Sequence, residues 1–193
     1  MVTVVAVVAS ALLLAEFLPQ PVRLWRTRSV SGISVIGSGI TFVTELGWLG
    51  YGITTGLWVV TALAAITGVL SGIQLALVWH RRTPTEAGIL ILWAVAIAVA
   101  LPLGVVGVVL VLGLVAGVGP QAWTAWRSAD AHGVSVWRWG FTMASGAAWA
   151  TYGILVSAPT IIVTGALACA LGLRVLWRFV VVGRHGTGHP TPR

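Results

Sequence analysis

Charge is what this sequence has least of. Only four of 193 residues are acidic and 8% are charged in all, while 58% are hydrophobic. A soluble domain of this length could bury a core but would need a charged surface to stay dissolved, and so few charges cannot cover one. The composition is that of a membrane protein, in which lipid takes the place of a polar surface. The single cysteine, Cys169, stands in an apolar run, which excludes a disulfide framework and a thiolate metal site and leaves it a packing residue. No basic residue precedes the first apolar run, so that run reads as a retained span and not a cleaved signal. A Walker A glycine loop, a zinc-ligand spacing and a nucleophile with a triad around it are all missing, so no catalytic residue, metal or cofactor is expected. His185 and His189 have no third ligand near them in sequence and read as part of a solvated tail.

What is present is a duplication. A shift of 101 positions, without a gap, pairs Pro19 with Pro120, Gln20 with Gln121, Trp25 with Trp126 and Arg26 with Arg127. The same shift pairs Gly32 with Gly133, Ser34 with Ser135, and Trp48, Tyr51, Gly52 and Ile53 with Trp149, Tyr152, Gly153 and Ile154. A repeat of this length marks two copies of one structural unit.

A membrane-spanning helix needs roughly 20 apolar residues. Seven such stretches are expected, running approximately Val2 to Trp25, Ser34 to Thr54, Leu57 to His80, Glu86 to Leu103, Gly104 to Trp126, Val134 to Ser157 and Thr160 to Val182. The fourth and fifth are divided at Leu101-Pro102-Leu103-Gly104, where proline and glycine favour a turn. All eleven basic residues are arginines, and with seven spans each lies near or beyond the same end of the helices. Arginine-rich short loops stay cytoplasmic, so the N-terminus is expected outside and the C-terminus inside. With six spans the second copy would be inverted and its arginines misplaced. The net charge of +7 thus reports topology, and nucleic acid is not an expected partner. The expected organisation is a three-helix repeat over residues 1–82, a linker transmembrane helix over 83–103, a second three-helix repeat over 104–183 and a disordered cytoplasmic tail over 184–193: an all-α integral membrane fold of the form three-one-three.

A proline inside a span removes a backbone donor and frees a carbonyl one turn back, a loss tolerated where protein or a watery cavity supplies another partner. Pro19 and Pro120 do this at equivalent positions, near the ends expected to be cytoplasmic. They read as a pair of hinges for an inner gate, with Gln20 and Gln121 available to satisfy the freed backbone; a fixed kink is the alternative. The pattern Pro19-Gln20 to Gly32-x-Ser34, repeated as Pro120-Gln121 to Gly133-x-Ser135, resembles the PQ-loop superfamily, which includes the SWEET and semiSWEET sugar transporters and lysosomal amino-acid exporters. The three-one-three arrangement is similar to that of full-length SWEET proteins, built from parallel repeats.

The second repeated motif is Trp48-x-x-Tyr51-Gly52 and Trp149-x-x-Tyr152-Gly153. Tryptophan at a membrane boundary is ordinarily an interfacial anchor, which accounts for Trp25, Trp58, Trp79, Trp126, Trp137 and Trp177. At 1.5 Å per residue, however, Trp48 and Trp149 lie about 20 Å into their helices. In the semiSWEET family the matching tryptophan stacks on the sugar, so the resemblance implies that Trp48 and Trp149 bind the solute, with Tyr51 and Tyr152 one turn outward as an outer gate. The sugar transporters also carry an asparagine on the third helix of each unit, roughly sixteen residues after the tryptophan. This chain has Ala64 and Gly165 there, with Thr61, Thr67 and Thr164 the nearest polar residues. A pocket without those amides recognises fewer hydroxyls, and a smaller or less polar solute becomes credible.

Of the four acids, Glu86 and Asp130 fall in connections and read as solvated. Glu16 and Glu45 lie within spans, where an ionisable group is a functional candidate by default. Glu45 is one turn before Trp48 and Glu16 one turn before Gln20, while their repeat counterparts are Gly146 and Gly117 respectively. Either carboxyl is a candidate proton carrier; the alternative is a protonated group bonded to a nearby serine or threonine. Gln74 and Arg174 are further candidate partners. Stretches such as Gly104-x-x-Gly107 and Gly113-x-x-x-Gly117 read as close helix packing.

The expected function is therefore transport of a small neutral solute, a sugar or similar, by alternating access in the plasma membrane. That membrane is suggested by an alanine-, valine- and arginine-rich, lysine-free composition. Two alternatives stay open: a proton-coupled amino-acid-type transporter using Glu45 and Glu16, and a non-transporting membrane receptor of the same fold. A homo-oligomer is a further candidate assembly, beside the solute and the lipid bilayer as partners.

Overall fold

The computed structural model describes residues 1–27, 33–127 and 136–185. Gly32, Asp130, Gly133, Ser135, His189 and the end of the tail lie outside the described residues, as do the side chains of Gln20, Pro120, Gln121 and His185. The described residues are helical throughout: α1 (Val2–Phe17), α2 (Pro19–Thr27), α3 (Val35–Thr55), α4 (Trp58–Val78), a 3-10 turn (Trp79–Arg81), α5 (Pro84–Ala100), α6 (Val106–Arg127), α7 (Val136–Leu155) and α8 (Pro159–His185).

Helix ends follow local chemistry. Ser34 caps α3, accepting the Gly37 N–H at 3.2 Å, so the serine of the repeated Gly-x-Ser motif is a helix starter. Thr83 and Glu86 form a reciprocal capping box at α5: Glu86 N–H donates to Thr83 Oγ1 at 3.2 Å and Thr83 N–H to the Glu86 carboxylate at 2.8 Å. The solvated acid of the sequence reading is thus a cap. The α3–α4 turn passes through Gly56 at φ 70°, closed by Leu57 N–H to Gly52 O at 2.9 Å. Its repeat equivalent, between α7 and α8, is the same turn with Ala158 N–H to Gly153 O at 2.8 Å, but Ser157 holds the left-handed position at φ 53°. The chain also turns between Ala100 and Val106, with Gly104 at φ 71°, dividing the long apolar stretch where proline and glycine meet.

The first expected span, Val2 to Trp25, is divided. Helix α1 stops at Phe17 and α2 begins at Pro19, whereas α6 continues through Pro120 to Arg127. The difference lies in Pro21, found only in the first copy: Pro19 and Pro21 remove two backbone donors within one turn, and one proline removes a single donor that a long helix absorbs.

The helices pack as two related sets. Helix α3 packs on α4 and α7 on α8, while α1 against α7 and α6 against α3 join the two copies across equivalent faces. Helix α5 lies on α3, where Trp93 Nε1 donates to Thr44 Oγ1 at 3.1 Å. One core cluster draws on both copies, from Ala6, Tyr51 and Val60 to Leu110, Tyr152 and Ile161. The outer faces carry large exposed apolar side chains, among them Val4, Val7, Ile91, Leu92 and Val108, the surface of a protein that another apolar phase must cover. Among the described residues, Trp58–Arg81 and Pro159–Phe179 are long and apolar enough to cross a membrane; Val2–Phe17, Pro84–Ala100 and Val106–Gly119 are shorter apolar helices.

Candidate functional site

Helix periodicity places Trp48 above Tyr51 and Trp149 above Tyr152 on one face of α3 and α7. The rings meet edge to face in both copies. Trp48 and Tyr51 have centroids 5.6 Å apart at 86°, and Trp149 and Tyr152 5.4 Å apart at 85°. Both tyrosines are buried in the shared core cluster, and both tryptophans pack half-buried against that same cluster. Each indole is thereby fixed by its edge-on neighbour at the junction of the two copies. Trp149 Nε1 is buried without a hydrogen-bond partner among the described residues. A buried donor left unpaired costs about 1–3 kcal/mol.

The threonines differ in what they offer. Thr61 lies against Gly52 and donates to its own helix at Leu57 O, 3.3 Å away, and Thr164 donates to Thr160 O at 2.7 Å. Both therefore commit their protons to backbone and retain only acceptor capacity. Thr67 is fully buried and donates across the α3–α4 seam to Glu45 Oε2 at 2.6 Å. Glu16 on α1 pairs with Thr142 on α7, Thr142 Oγ1 donating to Glu16 Oε1 at 2.7 Å, and Arg138 one turn away acts on this carboxyl electrostatically. Gln74 instead donates to Ser38 Oγ at 2.8 Å, and Arg174 lies over the Trp126 ring at 4.6 Å. Both acids therefore take threonine partners. Thr142 was not singled out from the sequence, although its repeat equivalent Thr41 stands beside Gly117, the counterpart of Glu16. The glycine leaves that second threonine without a carboxyl to meet.

The missing asparagines have a steric reason in the second copy. A Cβ on Gly165 would lie 2.5 Å from Ala150 N and 2.7 Å from Gly146 O, both backbone atoms of α7. No side chain fits there while the helices stay this close. In the first copy the equivalent Ala64 is buried but has a Cβ, because α3 and α4 are held apart by Glu45 and Thr67 where the second copy has Gly146 and Ala168. Ser38 and Gln74 correspond in the same way to Trp139 and Val175, which form an apolar cluster with Ala122. At these positions the first copy is hydrogen-bonded across α3 and α4, and the second copy has glycine or apolar residues.

An all-helical duplication with paired aromatics at its centre is the class that this fold and site define. Compared with solved structures, the chain is similar in fold to a eukaryotic SWEET transporter, with a TM-score of 0.76, 19% sequence identity, and coverage of 95% of this chain and 97% of that one. No protein-family model and no curated protein matches the sequence.

Proposed function

We propose that the chain is a multi-pass membrane transporter of a small neutral solute, working by alternating access. In this reading seven helices span the plasma membrane, with the N-terminus outside and the C-terminus in the cytoplasm. Residues 1–82 and 104–183 form parallel three-helix units, joined by the linker helix of 83–103. The solute sits between Trp48 and Trp149, with Thr61 and Thr164 offering acceptor oxygens nearby. Tyr51 and Tyr152 close the outer side, while Pro19 and Pro120, with Gln20 and Gln121, bend the inner gate. The observation that carries the reading is the unpaired, buried Trp149 Nε1 beside two equivalent Trp–Tyr pairs. Flat indole faces take the apolar face of a small solute and the indole N–H takes its oxygen. Uptake by proteoliposomes over a panel of sugars and smaller polyols is the test. A cognate solute should lose most of its flux in Trp48→Ala and Trp149→Ala; flux unchanged in both variants refutes the assignment, and binding without flux favours a receptor.

A second reading is favoured by the two acids. The Glu45–Thr67 and Glu16–Thr142 bonds hold ionisable groups inside the helix bundle, the setting of a proton relay. Proton coupling requires uptake to follow an imposed pH gradient and to lose that response in Glu45→Gln or Glu16→Gln. Uptake indifferent to the gradient removes coupling and leaves passive transport.

A further inference from the structure

Helix α6 ends in an arginine–tryptophan cluster that the transport reading does not use. The Arg127 guanidinium lies over the Trp123 ring at 4.3 Å, and that of Arg174 over the Trp126 ring at 4.6 Å. Arg178 Nε donates to the Trp126 carbonyl at 3.1 Å, and the two indoles are 5.7 Å apart. Three guanidiniums thus converge where α6 packs on α8, and neither helix contains an aspartate or glutamate. Stacking on an indole fixes the plane of a guanidinium while leaving its edge free to donate.

The apolar surface beside the cluster has a direction. On α6, Val108, Leu112, Val115 and Trp123 are exposed along one helical face that runs to Arg127. On α8, exposed Val163, Leu173 and Trp177 run alongside Arg174. A free anion would use the guanidiniums and leave both stripes bare. A molecule with acyl chains beneath an anionic head covers both. The duplication supplies an internal control: Arg174, Arg178 and Trp123 correspond to Ile73, Leu77 and Val22, all exposed in the first copy. Arginine-rich connections alone would not place two arginines one turn apart inside α8 and none in α4.

We propose that the Arg127, Arg174 and Arg178 cluster is a binding site for the phosphodiester head of an anionic phospholipid, whose chains lie along α6 and α8. Guanidinium forks match phosphate oxygens two at a time, and tryptophan belongs at the head-group level. The site rests on the membrane reading of the chain but not on transport.

The test is native mass spectrometry of the full chain released from nanodiscs of mixed phosphatidylglycerol and phosphatidylcholine. The wild type should retain phosphatidylglycerol with a preference of roughly 150-fold from three interfacial arginines. The double variant Arg174→Ile/Arg178→Leu, which installs the first copy's residues, should fall to about fivefold, the share of Arg127 alone. Arg127→Gln, at an exposed helix end where unfolding is not at issue, should lower the preference about fivefold. No head-group preference in the wild type, or one unchanged in both variants, overturns the proposal. So does displacement of the lipid by inorganic phosphate but not by chloride at equal ionic strength, which would assign the cluster to a free anion. A chain that does not enter nanodiscs refutes the membrane reading and this site together; one that enters without selecting a head group refutes the site alone.

Discussion

Replacing Gly165 by alanine adds one methyl group at the α7–α8 seam and should lower stability. The added Cβ would meet Ala150 N at 2.5 Å, Gly146 O at 2.7 Å and Ala150 Cα at 3.0 Å. All three atoms are backbone, so no rotamer change relieves the clash, and the helices must separate along a seam that Gly146 and Gly172 also hold close. Overpacking of this kind costs about 1–3 kcal/mol, and with backbone on both sides the upper end applies. Alanine returns about 1 kcal/mol of helix propensity, leaving a net loss of about 2 kcal/mol. Gly88 is the control: nothing lies within 4 Å of its built Cβ in the interior of α5, so Gly88→Ala should stabilise by about 0.5–1 kcal/mol. Thermal unfolding of the detergent-solubilised protein, followed by tryptophan fluorescence, should move in opposite directions for the two variants. A Gly165→Ala protein as stable as Gly88→Ala would refute the steric account of the missing amide.

Three further outcomes are expected. Ser157→Gly should raise stability by about 1 kcal/mol, because only this copy of the turn holds a side chain at positive φ; the same melting experiment reads it. Thr83→Ala removes the one hydroxyl that both accepts Glu86 N–H and donates to its carboxylate, and should lower the melting midpoint by the equivalent of about 1 kcal/mol. Trp149→Phe keeps the ring and removes the unpaired N–H, so the KM for the cognate solute should rise about fivefold, the worth of one hydrogen bond, with maximal flux little changed; an unchanged KM places the solute elsewhere.

The two copies share turns and aromatic pairs but differ in the seam each one packs. With Glu45–Thr67 and Gln74–Ser38 bridging α3 and α4, relative movement there must break or exchange hydrogen bonds. The α7–α8 seam presents glycine against backbone, where contact is dense and separation forfeits dispersion along the whole interface. The interruption of the first helix at Leu18 adds to the asymmetry between the copies.

Periodicity and punctuation are local properties, and the sequence alone determines them. The 101-residue repeat, the turns at Gly56 and Gly104, the threonine cap of α5 and the edge-to-face meeting of each tryptophan with the tyrosine three residues later need only helix geometry and the preferences of glycine, proline and threonine. Composition likewise dictates that the outside of the bundle is apolar. Contacts between distant segments belong to the tertiary structure. Glu16 meets Thr142 across 126 positions, and Arg174, a sequence-level candidate for a buried carboxyl, lies instead over Trp126. In the sequence, Gly165 is an absent amide, a statement about solute chemistry. In the structure it is a point of backbone contact, because the distance between α7 and α8 is set by every residue on their shared faces and by no single one of them.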